Sequence, residues 1–334
     1  MKLRIILLAL LVILFFILNL FFGSVHISPS DVLNALTHAA DTSDSISYIV
    51  VGSRLPNAIT ATLAGAGLAT SGLLLQTSFH NPLAGPSILG ISSGANLGVA
   101  IVMLAFGGSV TAGLYTLGGS FAIVGAAFVG SLLIMALLLI FSSLLKDNLM
   151  LLITGIMMGY ITSSVISLLN FLASVDNIQS FLIWGMGNFN GVSLQQMPIF
   201  ASLCTLGLVL SLLLTKPLNA ILLGDNYAAN LGISIRRTRN LLLFATGLLT
   251  AVITAYCGPV AFIGLATPHI AFLLLGTNNH RPLLPVTMLA GAAIALLCNL
   301  LCSLPATTIL PLNAITPVIG APVIIYIIMC RKVS

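Results

Sequence analysis

Long apolar stretches alternate with short polar breaks along almost the whole chain. A helix that crosses a bilayer needs about 20 mostly apolar residues, because backbone N–H and C=O groups cannot stay unsatisfied in lipid. The pattern predicts an all-α, polytopic membrane protein that forms one transmembrane domain over residues 1–334. Its ten predicted spans are residues 3–22, 57–79, 88–106, 114–145, 149–172, 195–215, 240–257, 260–275, 283–303 and 313–330.

The composition supports this fold class, since 59% of the residues are hydrophobic and only 5% are charged. The mean hydropathy is +1.18, and a soluble domain cannot cover so much apolar surface with polar groups. The first segment has a basic start, but no small-x-small cleavage site clearly follows it. It is therefore interpreted as a retained span and not as a signal peptide.

The distribution of Lys and Arg gives the chain an orientation. The eighth segment is short and is interrupted by Gly264 and Pro268. If it is counted as a span, Arg54 stands alone on one side and ten basic residues share the other, namely Lys2, Arg4, Lys146, Lys216, Arg236, Arg237, Arg239, Arg281, Arg331 and Lys332. The positive-inside rule then favours ten spans with both termini cytoplasmic. Basic cytoplasmic loops also account for the isoelectric point of about 9.1, so no nucleic-acid partner is implied.

The two longest loops each predict short helices. In the outer loop, residues 23–56, Ser28, Pro29 and Asp31 form a capping-box-like start for a helix over Val32–His38. In the inner loop, about residues 216–239, two helical stretches over 218–223 and 225–231 are separated by Gly224. Asp225 is the predicted N-cap of the second stretch and Gly232 its C-terminal stop.

Several chemistries are absent from the sequence. There is no G-x-x-x-x-G-K-[ST] loop for ATP phosphates, no H-E-x-x-H and no G-x-S-x-G. The chain has no Glu, and its six acidic residues, all Asp, map to loops. Ion-coupled carriers generally keep ionisable groups within the membrane, where this chain offers only His269. We therefore predict a non-enzymatic pathway driven from elsewhere. A stand-alone secondary carrier or channel is the alternative, and an intramembrane enzyme lacks a visible nucleophile and base.

No cofactor or metal site is predicted. The five cysteines all lie in or beside apolar stretches, so they imply no disulfide framework. Cys298 and Cys302 share a helix face, but further ligands nearby are missing.

An ordered series of short motifs resembles the FecCD-type permeases, which are the membrane subunits of ABC importers for iron-siderophores, haem and cobalamin. The motifs extend over nearly the whole chain. They are residues 54–56 (RLP), 65–72 (GAGLATSG), Gln76, 81–86 (NPLAGP), 89–95 (LGISSGA), 184–187 (WGMG), 231–233 (LGI), 258–265 (GPVAFIGL), 268–269 (PH), 280–285 (HRPLLP), Thr316 and 320–322 (GAP).

The resemblance implies a set of partners and a location. The family has ten helices per subunit, and two copies enclose the pathway at their interface. Two cytoplasmic ATP-binding subunits supply the energy, and an extracytoplasmic binding protein delivers the substrate. The expected location is the bacterial cytoplasmic (inner) membrane, surrounded by lipid.

Site residues follow from matching positions in this sequence. Arg54 matches an outward arginine that meets an acidic residue of the binding protein, and a helix-end anchor in the membrane interface is the alternative. Asn57 stands beside it, where many members have a second Arg. The inner loop corresponds to the short helix that seats in the ATPase, with Asp225, Tyr227, Ala228, Leu231 and Gly232 as contact residues, and a simple connector is the alternative.

Two further features are assigned to the pathway. Asn81, Pro82 and Gly85 lie in an irregular segment that the family places beside the cytoplasmic gate, and a tight turn is the alternative. The fifth span carries small residues at every fourth position, which either pack closely against another helix or form a smooth pathway wall. These are Gly155, Gly159, Ser163 and Ser167.

Some positions depart from the family pattern. Asn299 replaces a common Asp, Ile309 a common Glu, and Asn313 a small residue. Together with Asn57, these changes reduce the charge on the outer face. They put the strength of electrostatic docking, or the identity of the docking partner, in question.

Overall fold

The computed structural model describes residues 2–37, 44–112, 115–145, 148–304 and 310–331. Lys146, Ile309 and Lys332 of the charge and motif predictions lie outside these ranges. The helices, in chain order, are α1 (Lys2–Phe21), α2 (Pro29–Thr37), α3 (Asp44–Ser47), α4 (Leu55–Ser78), α5 (Ile91–Ala100), α6 (Ser120–Leu144), α7 (Asn148–Leu172), α8 (Val175–Gly185), α9 (Met197–Leu213), α10 (Thr215–Ile221), α11 (Asp225–Asn230), α12 (Ile235–Cys257), α13 (Ile263–Leu275), α14 (His280–Ser303) and α15 (Leu312–Arg331). The π-helical segments Tyr48–Arg54 and Ile101–Ala105 lead into α4 and extend α5.

The predicted helical membrane fold is confirmed at the level of its long helices. Within the described residues, six helices are long and apolar enough to cross a membrane. A seventh span results if α9 and α10, which are bent by 50° at their junction, are counted together. Three shorter apolar helices cover residues 91–105, 263–275 and 312–326. The chain is thus a multi-pass membrane protein.

One region departs from the all-α prediction. Strands β1 (Ser109–Ala112) and β2 (Tyr115–Gly118) form an antiparallel hairpin in which Ser109 pairs with Gly118. The strands contain β-branched and aromatic residues, which favour extended backbone. The predicted span 114–145 was therefore wrong at its start, because the helix begins only at Ser120.

Two other predicted spans are shorter than expected because the backbone turns before they begin. Gly90 precedes α5 with a φ of 76°, so the helix starts at Ile91 and not at residue 88. Gly258 and Phe262 have φ values of 73° and 66°, which keep residues 258–262 out of the helix that follows. As a result α13 has 13 residues, fewer than the about 20 of an unbroken span.

Burial divides the long helices into a central and a peripheral group. In their most apolar windows, 83% of the α4 segment, 78% of α12 and 67% of α14 are buried, against 17% of α1, 28% of α6 and 22% of α7. Glycines permit the close central packing: a Cβ on Gly65 would lie 2.2 Å from the Gly291 carbonyl oxygen, and one on Gly72 would lie 1.6 Å from that of Gly264. The peripheral helices expose apolar faces that need lipid or another protein.

The predicted cap of the outer helix is confirmed. Ser28 donates its hydroxyl to Asp31 Oδ2 at 2.7 Å, and the Asp31 N–H donates to Ser28 Oγ at 3.2 Å. The helix buries Val32 and Ala35 against Val50 of the π-helical segment. The outer loop is thereby fixed to the start of α4.

Candidate functional site

Arg54 lies where the π-helical segment meets α4, and its side chain is only 7% exposed. Its Nη1 donates to the carbonyl oxygens of Leu20 at 3.0 Å and Phe21 at 2.9 Å, and its Nη2 donates to that of Val25. The last carbonyls of a helix have no partner within the helix, so Arg54 satisfies the end of α1. It therefore has a structural role, and its contact with a binding protein stays a prediction.

Neutral amides surround Arg54 in a cleft at this end of the molecule. Asn57 donates its Nδ2 to Asn190 Oδ1. Deeper in the protein, Asn299 donates to Asn19 Oδ1 at 2.7 Å, and Asn19 in turn donates to the Leu296 carbonyl oxygen at 3.0 Å. Among the described residues that line this cleft, Arg54 is the charged one. The amides that replace family charges at positions 57 and 299 thus form hydrogen bonds with other amides.

We call residues 215–232, which contain α10 and α11, the coupling segment. Gly224 separates the two helices with a φ of 107°. It also occupies the N-cap position of α11, so the prediction of Asp225 as the N-cap was wrong by one residue. Asp225 is instead the first residue of the helix. Its carboxylate still lies near the positive end of the helix dipole.

The predicted stop at Gly232 is confirmed. Gly232 has a φ of 79°, in the left-handed region that glycine adopts without strain. The Ile233 N–H donates to the Ala228 carbonyl oxygen at 3.1 Å, and the Gly232 N–H donates to that of Ala229 at 2.9 Å. This pair of bonds is a Schellman motif, and it directs the chain from α11 into α12.

The two faces of α11 differ in burial. Ala228 is fully buried and belongs to a hydrophobic cluster that also contains Leu74 and Leu218. Tyr227 and Leu231 are 50% and 59% exposed. Of the predicted contact residues, Ala228 therefore anchors the helix to the membrane core, whereas Tyr227 and Leu231 present an outward surface.

We call residues 79–90 the gate segment. Asn81 forms a turn, because its Oδ1 accepts from the Leu83 N–H at 2.9 Å and its carbonyl oxygen accepts from the Ala84 N–H at 3.1 Å. The Pro82 carbonyl oxygen lies 2.8 Å from His269 Nε2 on α13. A Cβ on Gly85 would lie 3.6 Å from Leu265, also on α13. The gate segment therefore forms a hydrogen-bonded turn that packs against α13. Its role as a gate stays a prediction.

The small-residue stripe on α7 divides into two parts. A Cβ on Gly155 would lie 3.0 Å from Leu89 Cα, so this glycine permits close packing against the gate segment. Gly159 faces Ser93 at the start of α5, where an added Cβ would lie 3.5 Å from the hydroxyl oxygen. Ser163 and Ser167, further along the helix, are exposed. Close helix packing therefore explains Gly155 and Gly159. The exposed Ser163 and Ser167 fit a smooth pathway wall.

Sequence reasoning missed a polar network between the ends of three helices. His280 is 1% exposed, and its ring nitrogens lie 2.8 Å from Thr77 Oγ1 on α4 and 3.0 Å from Asn219 Oδ1 on α10. His80 Nε2 lies 3.2 Å from the Ile221 carbonyl oxygen, also on α10. His80 and His280 both lie within three residues of the end of a predicted span, and this recurrence was the available signal.

Asn313 has a role that its departure from the family pattern did not reveal. Its Oδ1 accepts from the Ala261 N–H at 3.1 Å. Its Nδ2 donates to the carbonyl oxygens of Pro259 at 2.6 Å and Gly185 at 3.2 Å. One amide thus holds the unwound residues before α13 to the end of α8.

Comparisons with known proteins agree with this architecture. The family model described as the FecCD transport family matches residues 10–330. The chain is 34% identical, over 96% of its length and 93% of theirs, to the vitamin B12 import system permease proteins BtuC of Salmonella typhi and Salmonella newport (strain SL254). A solved inward-facing structure of a metal-chelate type ABC transporter superposes with a TM-score of 0.82 at 28% identity, and the match covers 98% of both chains. The chain therefore belongs to the FecCD transport family.

Proposed function

We propose that the chain is the permease subunit of a binding-protein-dependent ABC importer. The importer moves an iron chelate, haem or cobalamin across the bacterial inner membrane into the cytoplasm, and partner subunits hydrolyse the ATP that drives it. The observation that carries this proposal is the full-length similarity to vitamin B12 import permeases. Cobalamin is therefore the first cargo to test.

The proposed topology has ten spans with both termini in the cytoplasm. The six long helices, α9 and the three shorter apolar helices together supply this number. The described acidic residues support it, because Asp31, Asp44, Asp176 and Asp225 all lie outside those helices. A pathway without acidic relays suits a transporter that takes its energy from partner subunits.

We place a second copy of the chain against α7, so that the pathway lies between the two copies. Only 22% of the apolar window of α7 is buried, and the helix exposes Ser163, Ser164 and Ser167 among large apolar side chains. Ser164 and Ser167 donate to carbonyl oxygens within α7, and small polar residues of this kind are common where membrane helices meet. This face is therefore a better fit for a partner helix and a polar pathway than for lipid alone.

Two surfaces fit the remaining partners. At the cytoplasmic side, the exposed Tyr227, Leu231 and Leu223 of the coupling segment give each ATP-binding subunit an apolar contact. At the outer side, Arg54 is the charge that an acidic residue of the binding protein would meet. The two surfaces lie at opposite ends of the central helices in the proposed topology.

Reconstitution tests the proposal. The chain is purified with its ATP-binding subunit, placed in proteoliposomes with the binding protein outside and ATP inside, and supplied with cyanocobalamin, haem or a ferric siderophore. We expect uptake of one cargo that requires the binding protein and stops with a non-hydrolysable ATP analogue. Uptake by the chain alone, driven by an ion gradient, would instead establish a secondary carrier.

A further inference from the structure

The buried imidazole of His280 lies between the coupling segment and the end of the most buried helix. Its Nε2 is 2.8 Å from Thr77 Oγ1, in the last turn of α4. Its Nδ1 is 3.0 Å from Asn219 Oδ1, on α10. His280 itself is the first residue of α14. One side chain thus connects three helices that are far apart in the sequence.

The surrounding bonds fix the direction of the contact with Asn219. Asn219 Oδ1 also accepts from the His280 N–H at 2.8 Å, and Asn219 Nδ2 donates to Asn279 Oδ1 at 2.9 Å. The oxygen of Asn219 therefore faces the ring, so Nδ1 must carry the proton that it receives. In the neutral ring Nε2 is then an acceptor for the Thr77 hydroxyl, whose single proton is shared with the Leu73 carbonyl oxygen 2.9 Å away. The His280 ring thus joins α10 to α4 by side-chain hydrogen bonds.

Two parallel contacts involve the gate segment. His80 lies at its start, with a strained φ of 49°, and its ring meets the last residue of α10. Pro82 meets His269 of α13 through its carbonyl oxygen. A movement of α10 would therefore reach the gate segment through His80 and the end of α4 through His280.

We propose that His280 is a positioning residue that transmits movement of the coupling segment to α4 and the gate segment through the Asn219–His280–Thr77 network. This inference rests on the proposed function, because the movement originates in the ATP-binding subunits. The inference adds a specific path for this movement. The path runs through hydrogen bonds between side chains as well as through helix packing. Loss of the network should leave ATP hydrolysis running while less cargo moves per ATP.

The test compares two changes at Thr77 in the reconstituted complex with its ATP-binding subunits and binding protein. Thr77→Val keeps the shape of the side chain but removes the hydroxyl, and Thr77→Ser keeps the hydroxyl. We expect Thr77→Val to lower cargo transported per ATP hydrolysed by about fivefold or more, the low end of typical energetic coupling between sites. We expect Thr77→Ser to retain at least half of the wild-type ratio.

A second pair of variants distinguishes loss of the network from a folding defect. Asn219→Ala removes the contact from the α10 side at a partly exposed position, and Gln179→Ala removes an exposed amide of α8 outside both the network and the coupling segment. We expect Asn219→Ala to reproduce the uncoupling and Gln179→Ala to match wild type, with assembly checked by size-exclusion chromatography. Wild-type coupling in both Thr77→Val and Asn219→Ala would overturn the inference. Failure of the wild-type complex to transport with ATP would instead overturn the proposed function.

Discussion

At the scale of single residues, two buried arginines bind carbonyl oxygens at the ends of other helices. Arg54 binds carbonyl oxygens at the end of α1, and Arg239 donates from Nη2 to those of Ser142 and Leu145 at the end of α6. Terminal carbonyls lack helical partners and carry the negative end of the helix dipole. A guanidinium offers several donors in a fixed plane and can bind more than one carbonyl at once.

Replacing Arg54 separates this structural role from docking. Arg54→Lys keeps the positive charge but loses the forked donors, so we expect the unfolding free energy to fall by about 1–3 kcal/mol, the usual cost of unsatisfied buried groups. Arg54→Gln should show a similar loss of stability and also slower association with the binding protein, because the docking charge is gone. The measurements are thermal unfolding in detergent and binding kinetics on immobilised binding protein.

The structural role and the docking role are tested separately. An Arg54→Lys variant as stable as wild type would show that the hydrogen bonds of Arg54 do not stabilise the fold. A Gln variant that associates at the wild-type rate would show that Arg54 has no part in docking.

At the scale of elements, the coupling segment depends on one backbone conformation. Gly232 ends α11 with a positive φ and sets the angle at which α12 begins. Nothing lies within 4 Å of an added Cβ at this position. Any cost of a side chain there comes from the backbone and not from a steric clash.

Two substitutions at Gly232 test this dependence. A β-branched residue is strongly disfavoured in the left-handed region, so Gly232→Val should cost of order 1–3 kcal/mol and misdirect α11. Asn tolerates this region, and Gly232→Asn is the matched control. We expect Gly232→Val to remain inserted and dimeric while binding-protein-stimulated ATP hydrolysis and uptake fall together. Undiminished stimulation would show that the coupling segment is only a connector.

At the scale of the whole molecule, the distribution of burial and charge gives an orientation that labelling can test. The outer helix α2 exposes Asn34, and the start of α12 exposes Arg237. The described cysteines at 204, 257, 298 and 302 are all buried. They can therefore stay in place, and the parent for labelling carries Cys330→Ser.

We expect Asn34→Cys to react with an impermeant maleimide in intact cells or spheroplasts and Arg237→Cys to react only after the membrane is opened. The reason is the predicted topology, in which α2 lies outside and the basic loops lie in the cytoplasm. The Cys330→Ser parent is the control for background labelling. The reverse pattern would invert the orientation, and equal labelling of both sites would contradict the span count.

The sequence alone determined the features that depend on local chemistry. Runs of apolar residues located the long helices, Ser28 and Asp31 capped α2, and Gly232 stopped α11, because each effect acts within a few residues. The ordered motifs also identified the family. These predictions needed no knowledge of which helices touch.

Only the tertiary structure decided what each side chain faces. Ala228 and Tyr227 are adjacent in the sequence, but Ala228 is fully buried in a hydrophobic cluster and Tyr227 is half exposed. His280 and Thr77 are 203 residues apart and share one hydrogen bond. Such contacts arise because the small residues of α4 let distant helices approach, and a buried polar group must find its partner among whatever those helices bring near it.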